Sequence, residues 1–146
     1  MNFSDQSAKA VIDPAVRPMR HALGLNNWRV DIEYGVLGER LGECVVNATY
    51  QRGTVTIDPA QHESEDELLD TLRHELLHLI HGDFETCRRI TAQFIEGDSF
   101  DAMDVGWHLG AERTVLALER LLDSLGLGPR ELVAKGREQM GEVGDG

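Results

Sequence analysis

Residues 63–82 read Glu63-Ser64-Glu65-Asp66-Glu67-Leu68-Leu69-Asp70-Thr71-Leu72-Arg73-His74-Glu75-Leu76-Leu77-His78-Leu79-Ile80-His81-Gly82. Leu68, Leu69, Leu72, Leu76, Leu79 and Ile80 recur at helical spacing, and no Gly or Pro interrupts residues 63–81. Ser64 followed three residues later by Glu67 is a capping-box start, and Gly82 is a natural stop, so the spacing predicts a helix over about 65–81. Within it, His74, Glu75 and His78 form the pattern H-E-x-x-H. Residues four apart on a helix project from nearly the same side. Both imidazoles can therefore reach one metal ion, with Glu75 beside them against a water activated by that metal. The plain alternative is a pair of helix-surface histidines that bind nothing.

Working outward, the chain of 146 residues is long enough for one domain with a real core, and we expect a single domain over 1–146. A net charge of −12 argues against nucleic acid as a partner, because affinity for phosphate backbones depends on clustered Lys and Arg. No apolar run is long enough to span a bilayer, and the first ten residues lack a positive segment followed by an apolar one. Neither a membrane nor a secretory signal is expected. Cys44 and Cys87 stand far apart without a C-x-x-C partner, which fits reduced thiols in a cytoplasmic protein better than a disulfide framework.

Upstream of the motif, residues 1–12 are expected to be disordered, and Asp13-Pro14 reads as the start of a helix from about Pro14 to Leu23. Trp28 to Tyr34 alternates apolar and polar residues as a half-buried strand does. Cys44, Val46, Ala48 and Tyr50 alternate again through 43–50, Gln51-Arg52-Gly53 reads as a tight turn, and Thr54 to Asp58 is β-branched. Asp58-Pro59 ends the sheet. Downstream, Asp83 is placed to cap a helix from Phe84 to about Glu96, followed by a longer helix from about Ala102 to Leu125 and a last one from Pro129 to Met140. The tail from 141 to 146 is expected to be disordered. The fold class is α+β: an N-terminal helix, an antiparallel or mixed sheet of about three strands, the H-E-x-x-H helix, then C-terminal helices.

A catalytic zinc usually takes three protein ligands and leaves one position open. Glu112 is the leading candidate for the third, because it shares a helix face with Val115, Leu116 and Leu122, and a carboxylate on a core-facing side needs a partner. His81 lies on the face of His74 but about 10 Å further along the axis, a long reach for one coordination sphere. Asp83 reads better as a cap, and Glu119, Glu96 and Asp98 hold weaker claims. His108, four residues before Glu112, is a candidate donor to a developing oxyanion; Tyr50 is a second, although core packing suits it better. Thr54–Asp58, taken as an edge strand, would accept an extended peptide by strand addition. Zinc is the expected metal, although manganese or iron suits the same ligands.

With His74 to Gly82 placed after a sheet and before a helical glutamate, the chain resembles the zincin metallopeptidases, and among them the small gluzincin-type proteins of the ImmA/IrrE group. The resemblance covers roughly residues 28–122, with its specific part at 74–82. It implies zinc held by His74, His78 and Glu112, Glu75 as general base, and a protein or peptide substrate. The linker to Glu112 is longer than that group's pattern and carries a helix of its own. SprT-like proteases share the motif but act at DNA, which the acidic balance does not support. The competing expectation is a zinc-binding or protein-interaction module without turnover.

Overall fold

The computed structural model describes residues 2–82, 88, 90–95 and 97–141. The chain opens with a reciprocal cap: Ser7 N donates to Ser4 Oγ at 3.1 Å and Ser4 N donates to Ser7 Oγ at 2.9 Å. This cap starts helix α1, Asp5–Ala22. Both the expected helix start at Pro14 and the expected disorder through residue 12 are therefore corrected. The reason is a continuous apolar stripe, Ala8, Ile12, Ala15 and Met19, buried on both sides of Pro14 and Pro18. Burying Ile12 and Met19 is worth about 1.5–3 kcal/mol each, enough to offset the loss of helix hydrogen bonds at two interior prolines.

The sheet has strands β1 (Arg29–Tyr34), β2 (Gly42–Asn47) and β3 (Arg52–Ile57) in the order β1-β3-β2. β1 runs parallel to β3, and β2 runs antiparallel to it, so the sheet is mixed. β3 is thus the central strand, which overturns its assignment as a docking edge; among the described residues the edges are β1 and β2. Alternation alone cannot rank strands by position, because a central and an edge strand with one covered face read alike. β3 buries Val55 and Ile57, while Val30, Ile32 and Tyr34 of β1 are half-buried. The hairpin turns through a 3-10 segment at Ala48–Tyr50, with Gln51 in the left-handed region at φ 50°. The turn therefore sits earlier than Gln51-Arg52-Gly53, and Tyr50 projects from it 74% exposed rather than packing in the core.

Asp58 ends β3 by accepting from Ala60 N at 3.2 Å and from Leu37 N at 2.9 Å. Helix α2, Glu65–Leu77, follows with Ser64 as its cap: Glu67 N donates to Ser64 Oγ at 3.1 Å. The Glu67 carboxylate reaches back one residue beyond the expected partner and accepts from Glu63 N at 2.7 Å. The α-helix tightens into a 3-10 turn at His78–His81. Gly82 stays right-handed at φ −53°, so it is no left-handed stop; its bare Cα instead faces the Trp28 ring.

Of the helix expected over 84–96, Asp83, Phe84, Cys87 and Glu96 lie outside the described residues, while Arg88 and 90–92 are helical. Helix α3 spans Asp98–Ser124, four residues earlier at its start than expected, and Gly106 and Gly110 do not break it. Helix α4 spans Pro129–Gln139, with Pro129 in its first turn. Residues 142–146 lie outside the described residues.

One core joins α1, β3, α2 and α4 through Ile12, Met19, Val55, Ile57, Leu68, Leu72, Leu76 and Leu132, all fully buried or nearly so. Among the described residues, no helix is long and apolar enough to cross a membrane. Pro14 is exposed in the middle of α1, where it gives up a helix N–H without packing in return. Pro14→Ala is expected to raise folding stability by about 1–3 kcal/mol, measured by chemical denaturation. A loss of stability would show that α1 needs its proline geometry.

Candidate metal centre and its cleft

α2 is buried over most of its circumference, and its exposed remainder carries the motif. Leu68, Leu72 and Leu76 enter the core, and the four-residue spacing then turns His74 and His78 toward α3, with ring centroids 5.1 Å apart. From α3, Glu112 meets both rings. Its Oε1 lies 2.9 Å from His78 Nε2, and its Oε2 lies 3.3 Å from His74 Nε2. One ligand atom from each of the three residues lies within 4.8 Å of the others. Donors spread around a tetrahedral zinc at ~2.1 Å stand about 3.4 Å apart, so the set has the dimensions of one coordination sphere.

Glu119 takes a different place. Its Oε1 lies 2.8 Å from His74 Nδ1, on the side of the ring away from Glu112. A carboxylate can only accept, so His74 Nδ1 carries the proton. In the neutral ring, the Nε2 lone pair then faces Glu112 Oε2 at 3.3 Å, two acceptors opposed. A shared proton or a metal ion between them relieves that opposition. His78 is held below its ordinary pKa, first by burial, with Glu112 opposing the shift and His74 and His81 adding to it. That favours the neutral imidazole, the form that ligates metals. Glu119 thus bonds a ligand's ring and does not join the three-residue set, unlike the ligand role the sequence offers it. Its place seven residues after Glu112, on the same helical face, was the available signal.

Glu75 lies against the start of β2 and lines the same cleft as His78 and Glu112. It is 5% exposed, and its carboxylate makes no hydrogen bond to the described residues. Burial pushes its carboxyl up from 4.5 to about 7; His74 pulls it down, while Glu112, Glu43 and Glu119 push further up. A buried carboxyl titrating near neutrality is what a general base requires. Arg73, the preceding neighbour of His74, is as buried but paired: its Nη1 donates to Asp123 Oδ1 at 2.7 Å and to the Leu127 carbonyl at 3.2 Å, while its Nε has no hydrogen-bond partner among the described residues.

The group opens into a cleft of about 1050 Å³ between β2 and α3. Gly42, Cys44 and Val46 form one wall; Met103, Trp107 and Ala111 form the other, with Glu75, His78 and Glu112 at the base. Cys44 is free, and burial pushes its thiol up to about 12, which favours the uncharged form. His81 lines the cleft without joining the three-residue set, and burial lowers its pKa. His108 is on the rim, 68% exposed, with Nε2 3.5 Å from Asp104 Oδ2. Tyr50 does not line the cleft. Asp98 is exposed at the start of α3, while Asp83 and Glu96 lie outside the described residues. No protein-family model, curated protein or solved structure matches the chain.

The raised Glu75 pKa carries a stability consequence. Its folded value lies above the unfolded one, so the folded chain takes up a proton between about pH 4.5 and 7, and stability falls as pH rises through that window. In metal-free protein, Glu75→Gln is expected to gain about 1–3 kcal/mol near pH 8 and almost nothing near pH 4, by urea denaturation. An equal effect at both pH values would contradict a buried, ionising carboxyl.

Proposed function

We propose that the chain is a zinc-dependent peptidase, with His74, His78 and Glu112 holding the metal and Glu75 as general base. The observation that carries this reading is the meeting of two imidazole Nε2 atoms and one carboxylate beside a buried, unbonded Glu75 at the base of a cleft. When bound, zinc supplies Lewis-acid polarisation of the scissile carbonyl and acidifies water. Glu75 accepts the proton of the water that attacks the carbonyl carbon, then delivers it to the amine nitrogen as the C–N bond breaks. Glu119 holds His74 in the tautomer that presents Nε2 to the metal. His108, on the rim, is placed to reach substrate rather than metal.

A peptide is the substrate class that suits the β2 wall. On the side away from β3, the backbone of Gly42–Asn47 has no strand partner among the described residues, and an extended chain can pair with it beside the metal ligands. The free, half-buried Cys44 suits a reducing, cytoplasmic setting.

Purified protein should bind one zinc per chain, measured by metal analysis after removal and reloading. Glu112→Ala and His78→Ala should lose that zinc, while Glu119→Ala should weaken it about 10- to 100-fold. Glu75→Gln should keep zinc and lose hydrolysis of an unbiased peptide library. A protein that cannot be reloaded with zinc rules the reading out; zinc-loaded protein that cleaves no peptide points to a binding module.

A further inference from the structure

The carboxylate assigned as general base has no hydrogen bond to hold it, so something else must fix its position. Gly42, the first residue of β2, lies directly against it. A Cβ built at Gly42 would stand 3.0 Å from Glu75 Oε1 and 3.1 Å from Glu75 Cγ, and 2.8 Å from Thr71 Cγ2. Thr71 cannot easily give way. It is 5% exposed, and its Oγ1 lies 2.7 Å from Nε2 of His62, a ring that is fully buried. His62 Nδ1 in turn lies 2.8 Å from the Asp58 carbonyl. A carbonyl only accepts, so Nδ1 carries the proton, the neutral ring's Nε2 accepts, and the Thr71 hydroxyl donates. That bond sets the Thr71 rotamer and turns its methyl toward Gly42. The wall behind Glu75 is therefore a rigid methyl on one side and a bare Cα on the other.

We propose that Gly42 is a positioning residue: its missing side chain creates the seat that places the Glu75 carboxylate beside His74 and His78 at the base of the cleft. Its catalytic consequence rests on the peptidase reading given above. Any larger residue at 42 drives Glu75 forward, toward the metal ligands. A displacement of about 1 Å in a reacting group costs on the order of a hundredfold in rate.

The test uses the full-length, zinc-loaded protein. Gly42→Ala is expected to lower kcat about 10- to 100-fold while KM and zinc affinity stay within about threefold of the parent. Thr71→Ser removes the clashing methyl but keeps the hydroxyl bonded to His62, and measured alone it is the reference for the double variant. Combined with Gly42→Ala, it should restore thermal stability but not kcat, because the new methyl still meets Glu75. Unchanged kcat in Gly42→Ala, or recovery of kcat together with stability in the double variant, overturns the proposal. If the parent protein hydrolyses no peptide, the peptidase reading fails separately, and the seat is read without turnover. A crystal structure of the Gly42→Ala protein should then show the Glu75 carboxylate displaced from its place against residue 42. An unmoved carboxylate would show that Gly42 does not seat it.

Discussion

The architecture depends on burying α2 on nearly every side while keeping one strip of it open. Leu68, Leu72 and Leu76 are inaccessible, and Leu77 and Leu79 nearly so. A helix enclosed in this way must also enclose whatever polar residues share its faces. Here these include Arg73 and Glu75, two residues apart, and they are treated in opposite ways. Arg73 is compensated by Asp123 and the Leu127 carbonyl, which tie α2 to the end of α3 and the connection to α4. Glu75 is left uncompensated, and its carboxyl responds by titrating near neutrality. An uncompensated acid in a core is a liability; at the base of a cleft, beside two imidazoles, it is a chemical resource.

α3 supplies what α2 lacks. His78 meets Glu112, His74 meets Glu112 and Glu119, and Arg73 meets Asp123, so rising numbers on one helix pair with falling numbers on the other. The two helices therefore run antiparallel, and one face of α3 serves His74 from both sides of its ring. Val115, buried between the two glutamates in sequence, anchors that face. The sheet contributes the opposite wall. Gly53 in β3 lets Leu79 approach the strand closely, a built Cβ there standing 2.5 Å from Leu79 Cδ2, and this draws the end of the motif helix onto the sheet. β2 is consequently brought beside the motif and not merely near it.

Much of this was legible in the residues. The α2 cap at Ser64, the alternation of β1 and the helical place of Glu112 all follow from neighbours within a turn or a strand. The start of α1 is not legible locally, because Pro14 and Pro18 are strong breakers, while the stripe that overrides them, Ala8 to Met19, finds its value only in packing. Nor is the place of Tyr50, because its alternation with Cys44 and Val46 continues past the point where the hairpin turns. Nothing in Thr54–Asp58 records that β1 pairs with β3 in parallel from across a connection, so the central position of β3 is invisible in the residues.

By itself the sequence determined the α+β order of elements, the amphipathic helix and the two histidines spaced to share its face, because capping, alternation and four-residue spacing are local properties of the backbone. Only the tertiary structure decided which carboxylate meets the imidazole Nε2 atoms and which meets Nδ1, which strand edge stays open, and why residue 42 is glycine. Those depend on where α3 and β2 come to rest against α2. The Glu112, Glu119 and Gly42 contacts join residues far apart in sequence, a separation over which no periodicity carries information.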